Sequence, residues 1–277
     1  MLDARGYALS AGPDVHDLLA AAQRAQARGF TRGGGAAMQL GGALLRLGRM
    51  DDLTALTEEM DRVGEERADR GMVALADVWR AAEALARGRL DDARAATEMV
   101  LETLPEDPGW QLIYHVLTCF RMLAEGRADE ASEPADLLAA NPMFDYSHLP
   151  AVVAIAQGDP GPAAAVLSDW RAAGGSIPIG SGWSPRVWGL AECARATRDR
   201  AAAEQLYPLL LPYDGQLLDW FWIFAHASAA YTLGVLAETL GDHDRALAHY
   251  TSALAFEESC GAETLAARTR QALARIG

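Results

Sequence analysis

Apolar residues along this chain return every three or four positions: Leu75, Val78, Trp79, Ala82 and Leu85 fall on one side of a 3.6-residue helix. The same rhythm divides the chain into paired segments. First members are predicted at about 34–47, 70–87, 109–125, 146–157, 184–197 and 221–240, and second members near 51–64, 91–103, 129–140, 161–173, 200–211 and 244–258. Between the two members of each pair sits a turn anchor: Gly48, Gly88, Gly126, Gly158, Arg198 and Gly241, spaced 40, 38, 32, 40 and 43 residues apart. A period of this length is the mark of stacked helical hairpins.

The residues seven positions before the anchors are Gly41, Ala81, Cys119, Ala151, Ala191 and Gly234, all small. Five positions after them stand Leu53, Ala93, Ala131, Ala163, Ala203 and Ala246. Helix backbones approach each other most closely at such positions, and a bulky side chain there would overpack by about 1–3 kcal/mol. Residues 1–14 are expected to fray, with Gly6, Gly12 and Pro13 breaking any helix, and Asp14 can cap a short helix running to about Arg28. The chain thus divides into an N-terminal segment with a short helix, 1–29, and a repeat domain, 30–277. A last helix from about Ala262 to Ile276 is expected to cap the stack, with Glu263, Arg268, Arg270 and Gln271 as its polar outer coat.

The final unit resembles the tetratricopeptide consensus: Leu233, Gly234, Ala237, Gly241, Asp244, Ala246, Tyr250 and Ala253 stand at its signature places. Leu40, Gly41, Gly48 and Asp51 echo it in the first unit, and Leu190, Ala191, Ala203 and Tyr207 in the fifth. Units three and four are degenerate. Pro150 falls inside the fourth unit's first segment, and a proline within a helix costs about 3 kcal/mol, so that helix is expected to start or bend there. The fold expected is therefore all-α: a tetratricopeptide-like α-solenoid of about six hairpins plus a C-terminal capping helix.

Composition narrows the partners. The net charge is −14, and Lys and Arg form no dense run, which argues against nucleic acid and against anionic membrane surfaces. Cys119, Cys193 and Cys260 are too few and too far apart for a disulfide framework, and no signal peptide is visible, so a cytoplasmic location is expected. The uncharged run Trp220 to Ala237 contains His226, Ser228, Thr232 and Gly234 and carries the repeat signature, so it is expected to be a buried solenoid helix instead of a membrane span.

Catalytic patterns are missing from the sequence. Gly33-Gly34-Gly35 and Gly180-Ser181-Gly182 lack the lysine and the preceding strand of a phosphate loop. Ser184, before Pro185, is read as a helix N-cap and not as a nucleophile. The six histidines include no pair at metal-binding spacing, and Asp242-His243-Asp244 occupies a turn where polar residues are expected anyway. Asp51-Asp52 and Asp91-Asp92 stand at helix starts, where negative charge offsets the helix dipole. No metal or cofactor is expected.

Trp183, Trp188, Trp220, Phe221 and Trp222 concentrate aromatic surface late in the chain. In a tetratricopeptide hairpin some first-helix positions line the inner groove, and the repeat register assigns His148, Trp188, Glu192, Arg195, Tyr231 and Glu238 to it. That aromatic and charged mixture suits a protein or peptide segment, or a small-molecule inducer.

Leu206-Tyr207-Pro208-Leu209-Leu210-Leu211-Pro212-Tyr213, the run Leu233 to Gly241, Ala246-Leu247-Ala248-His249-Tyr250 and Gly261-Ala262 together resemble one family. It is the C-terminal tetratricopeptide-like region of large actinobacterial signalling proteins, in which a nucleotidyl cyclase or a LuxR-type DNA-binding domain accompanies a STAND-type ATPase. The resemblance extends weakly over 17–277, is strongest after 183, and includes no cyclase, ATPase or helix-turn-helix segment. It implies a helical sensor or scaffold arm. Two functions stay open: a non-enzymatic interaction and sensor module of a signalling or transcriptional regulator, or an oligomerisation scaffold without a specific groove.

Overall fold

The computed structural model describes residues 12–27, 29, 35–141, 145–180 and 182–277. Most of the expected frayed N-terminus, Gly33, Gly34 and Ser181 lie outside the described residues. The protein is mostly helical. Helix α1 (Val15–Gln26) precedes six hairpins: α2 (Gly35–Arg46) with α3 (Met50–Glu66), α4 (Arg70–Ala86) with α5 (Leu90–Thr103), α6 (Pro108–Ala124) with α7 (Ser132–Ala139), α8 (Leu149–Ala156) with α9 (Gly161–Ala172), α10 (Trp183–Thr197) with α11 (Arg200–Leu210), and α12 (Ala229–Leu240) with α13 (His243–Ser259). Helix α14 (Glu263–Ile276) follows. None of the described helices is long and apolar enough to cross a membrane.

Every expected turn anchor takes left-handed backbone: φ is 66° at Gly48, 75° at Gly88, 73° at Gly126, 88° at Gly158, 56° at Arg198 and 74° at Gly241. The two amides that follow each first helix then turn back onto its last carbonyls. Gly48 N–H donates to the Leu45 carbonyl and Arg49 N–H to that of Leu44, and Arg198 and Asp199 repeat the pattern on Arg195 and Ala194. This double closure satisfies carbonyls that a helix end would otherwise leave unpaired, and it reverses the chain in about three residues. Pro150 stands in the first turn of α8, where its missing N–H costs nothing.

Small residues sit where the hairpins touch. Ala81, Cys119, Ala151 and Ala191 are buried, as are Ala93, Ala131, Ala163, Ala203 and Ala246 on the second helices. A Cβ on Gly234 would lie 2.6 Å from the Tyr250 ring, so α12 and α13 meet backbone against aromatic face.

One expected helix is not a single helix. The repeat rhythm predicts a single first member over 221–240, but the protein forms an antiparallel pair, β1 (Leu217–Trp220) and β2 (Phe224–Ser228), before α12 begins at Ala229. The aromatic run favours extended backbone, and Phe221 and Trp222 form the tight connection with φ of 50° and 62°. Asp219 Oδ2 accepts from Trp222 N–H at 2.7 Å and the Trp220 carbonyl accepts from Ile223 N–H at 2.8 Å, which holds that turn. Ser228 ends the strand and caps α12, its Oγ accepting from Tyr231 N–H at 3.1 Å. Two smaller differences follow from local turns. Residues 128–131 form a turn ahead of α7, and α10 starts at Trp183 with Ser184 inside the first turn, its hydroxyl buried without a partner, so Ser184 is not the cap.

The strand pair fills the inside of the stack. Trp222 packs on Gly42 of α2, and its carbonyl accepts from Trp79 Nε1–H of α4 at 2.9 Å. Phe224 meets Phe120 of α6 edge-on, with ring centroids 4.7 Å apart. Trp220 Nε1–H donates to the Tyr146 hydroxyl at 3.0 Å. The two ends of the stack also meet. The turn at Gly48 abuts Cys260, the turn at Gly88 abuts Glu263 and Thr264, and Thr264 Oγ1 donates to the Leu85 carbonyl. Helix α14 thereby joins the two ends, packing against α13 on one side and α4 on the other.

Candidate functional site

The strand pair does not fill the whole interior. A cavity of about 610 Å³ remains, walled by α6, α8, α10, β2, α12 and α14 and bordered by the α4–α5 turn. Helical periodicity supplies its side chains. Trp188, Glu192 and Arg195 follow one face of α10, and Thr264, Arg268, Gln271 and Arg275 follow one face of α14. Strand β2 contributes Phe224, Ala225 and His226.

His226 reaches the cavity through a defect in the sheet. Leu218 pairs with Ala227 and Asp219 with Ala225, so His226 is an extra residue, a bulge that re-aims its side chain. Its ring lies 5.0 Å from that of Trp188 and is buried. Burial above all, reinforced by Arg268 and His148, holds its pKa well below the ordinary value, so the imidazole is neutral at neutral pH. The Ser184 backbone opposes that shift without reversing it, and Trp188 Nε1 is buried without a hydrogen-bond partner.

Aromatic and aliphatic groups form the floor, with Phe120 centred 5.6 Å from Trp188, and Leu123, Val152 and Ile155 alongside. Ion pairs form the rim. Arg195 lies 3.0 Å from Glu192, and Arg275 lies 2.8 Å from Glu238, which also accepts from the Tyr250 hydroxyl at 2.8 Å. Burial opposes ionisation of Glu238, but Arg275 and Tyr250 outweigh it and bring its pKa below the usual carboxylate range. Arg268 sits differently: its guanidinium stands 4.2 Å from the centre of the Tyr231 ring and donates to the His226 carbonyl at 3.0 Å.

Of the six residues assigned to the groove from the repeat register, Trp188, Glu192, Arg195 and Tyr231 line the cavity. Glu238 stands behind it as the partner of Arg275. His148 is fully buried and does not line the cavity. Its ring occupies the space a side chain at Gly189 would need, with Cδ2 2.1 Å from the position of a Cβ there. Arg268, Gln271 and Arg275 had no place in the sequence-based groove, because α14 was expected to face outward. Glu263, Arg268 and Gln271 line the cavity instead, a correction that follows from the closure of the stack onto α4. A polar stripe at Thr264, Arg268, Gln271 and Arg275 was legible as one helix face, but only the closure decides what that face meets. His226 left no such signal, since its bulge lies in strands not expected there.

Burial pushes the Cys119 and Cys193 thiols up to about 12, so both are protonated at neutral pH. Among the described residues no group of three His, Cys, Asp or Glu side chains converges as a metal site. No protein-family model matches the chain, and no curated protein aligns with it significantly.

Proposed function

We propose that this protein is a non-enzymatic sensor module, a helical-repeat domain of the tetratricopeptide type, that holds a small molecule in the cavity bounded by α10, α12 and α14. The observation that carries the reading is the cavity itself. At about 610 Å³ it falls within the range of small-molecule sites, and it combines an apolar floor with a few polar groups left without partners.

Two partner classes were open from the sequence, a protein segment and an inducer, and the strand pair favours the inducer. An extended peptide running along the inside of the stack would have to displace Trp222 from Gly42 and break its carbonyl's bond with Trp79. The kinship with the helical arm of actinobacterial STAND-type signalling proteins is part of the same proposal. Because α14 joins the last hairpin to α4, a ligand bound against it would bias how firmly the two ends of the stack hold together, which is how such a module would report occupancy to a linked domain.

The test is thermal unfolding across a panel of small metabolites, for the wild type and for Ile155→Trp, whose indole would occupy the cavity. At least one compound is expected to raise the melting temperature of the wild type saturably and to leave the variant unmoved. Equal stabilisation of both proteins by every active compound would place binding elsewhere and remove the reading.

A further inference from the structure

The unmet polar groups of the cavity are mostly donors, and they define what it can hold. Resting on the small-molecule reading above, we propose that the occupant is an amphipathic anion: a compound with a hydrocarbon or aromatic body and one carboxylate-type head, the head received by Arg268 and the body by Trp188, Phe120 and Ile155.

The carboxylates around the cavity are already paired. Glu192 is engaged by Arg195, Glu263 by Arg270 at 2.7 Å, and Glu238 by Arg275. Arg268 has no carboxylate within ion-pair distance among the described residues. Glu257 is within electrostatic reach, but its two oxygens accept from Ser228 and Thr269 at 2.6 Å each, and burial raises its pKa toward the neutral acid. Arg268 therefore keeps an uncompensated charge beside an apolar floor, with its Nε buried and unpartnered.

The second unmet group points the same way. Trp188 also lines the cavity, and its Nε1, which can only donate, has no partner in the protein, so it favours an acceptor-bearing head over a cationic one. A planar guanidinium matches a carboxylate in two parallel bonds, and stacking on Tyr231 fixes its plane without consuming its Nε–H. A cation would have to draw Glu192 or Glu263 away from its arginine, and a neutral body would leave Arg268 uncompensated. The protein's net charge of −14 makes this local excess of donors stand against the field of the whole chain, so it requires a specific fit and not bulk attraction.

The experiment is calorimetric titration with decanoate, decanol and decylamine, each below its micelle-forming concentration, against the wild type, Ile155→Trp, Arg268→Gln and Gln271→Glu. Decanoate is expected to bind the wild type one to one and about tenfold or more tighter than decanol, with decylamine weakest. Arg268→Gln should lose that preference. Gln271 is exposed on α14, so Gln271→Glu keeps the fold while adding a negative charge to the wall, and it should weaken decanoate about tenfold with decanol unchanged. Equal affinities for decanoate and decanol, both abolished by Ile155→Trp, would overturn the anion and leave the cavity reading standing, as would decylamine binding tightest. Binding by none of the three, or binding indifferent to Ile155→Trp, would overturn both.

Discussion

The Trp79 indole lies directly on the bare backbone of Gly41: a Cβ at Gly41 would sit 2.2 Å from Trp79 Cζ2. The indole cannot retreat, because it is fully buried and its Nε1–H is bonded to the Trp222 carbonyl at 2.9 Å. This one contact ties the first hairpin, the second hairpin and the strand pair together. Gly41→Ala would gain about 1 kcal/mol of helix propensity. Overpacking should outweigh that gain, giving a net loss of about 1–2 kcal/mol in the urea unfolding free energy. A variant as stable as the wild type would show that the three elements can separate at no cost.

Arg198 is the one turn anchor that is not glycine, and it holds φ at 56°. Left-handed backbone costs a residue with a Cβ about 1–2 kcal/mol, partly offset by the greater chain entropy that glycine gives up on folding. Arg198→Gly is expected to stabilise the protein by about 0.5–1 kcal/mol, read as a higher urea midpoint at unchanged slope. A lower midpoint would mean that the arginine side chain contributes more than its backbone strain removes.

His148 links stability to pH. Burial, its largest influence, joined by Arg186, lowers its pKa from 6.5 to about 3. Protonation then favours the unfolded chain, so the contribution of His148 is complete above pH 6.5 and is lost as pH falls toward 3. At about 1.36 kcal/mol per unit, the loss between pH 7 and pH 5 amounts to roughly 2 kcal/mol. His148→Leu should show a correspondingly shallower loss over that interval in paired urea titrations, with the share due to His226 remaining. Identical pH slopes in the two proteins would refute the assignment.

Ser228 serves two elements with one oxygen. Its Oγ accepts from Tyr231 N–H at 3.1 Å as the cap of α12 and donates to Glu257 Oε1 at 2.6 Å. Ser228→Ala removes a cap, about 1 kcal/mol, and leaves a buried carboxyl oxygen short of a donor, about 1–3 kcal/mol more. A loss of about 2–4 kcal/mol is expected in thermal or urea unfolding, larger than that of Ser259→Ala, whose hydroxyl bonds its own helix end at an exposed position.

The local alphabet of this protein, its helices, its turns and the phase of their small residues, is legible in the linear chain. These depend on spacings within about 20 residues, on glycine at left-handed turns and on alanine where backbones meet, so they can be read from one chain. Four cavity residues, Trp188, Glu192, Arg195 and Tyr231, followed from that phase. Long-range packing settled the rest. Trp220 to Ser228 reads as apolar whether it is a strand pair or a helix, and the choice was made by partners far away: Trp79, Phe120 and Tyr146. The facing of Arg268 was likewise undetermined until the turn at Gly88 met Thr264, because a helix face has no direction until something distant in the chain packs against its other side.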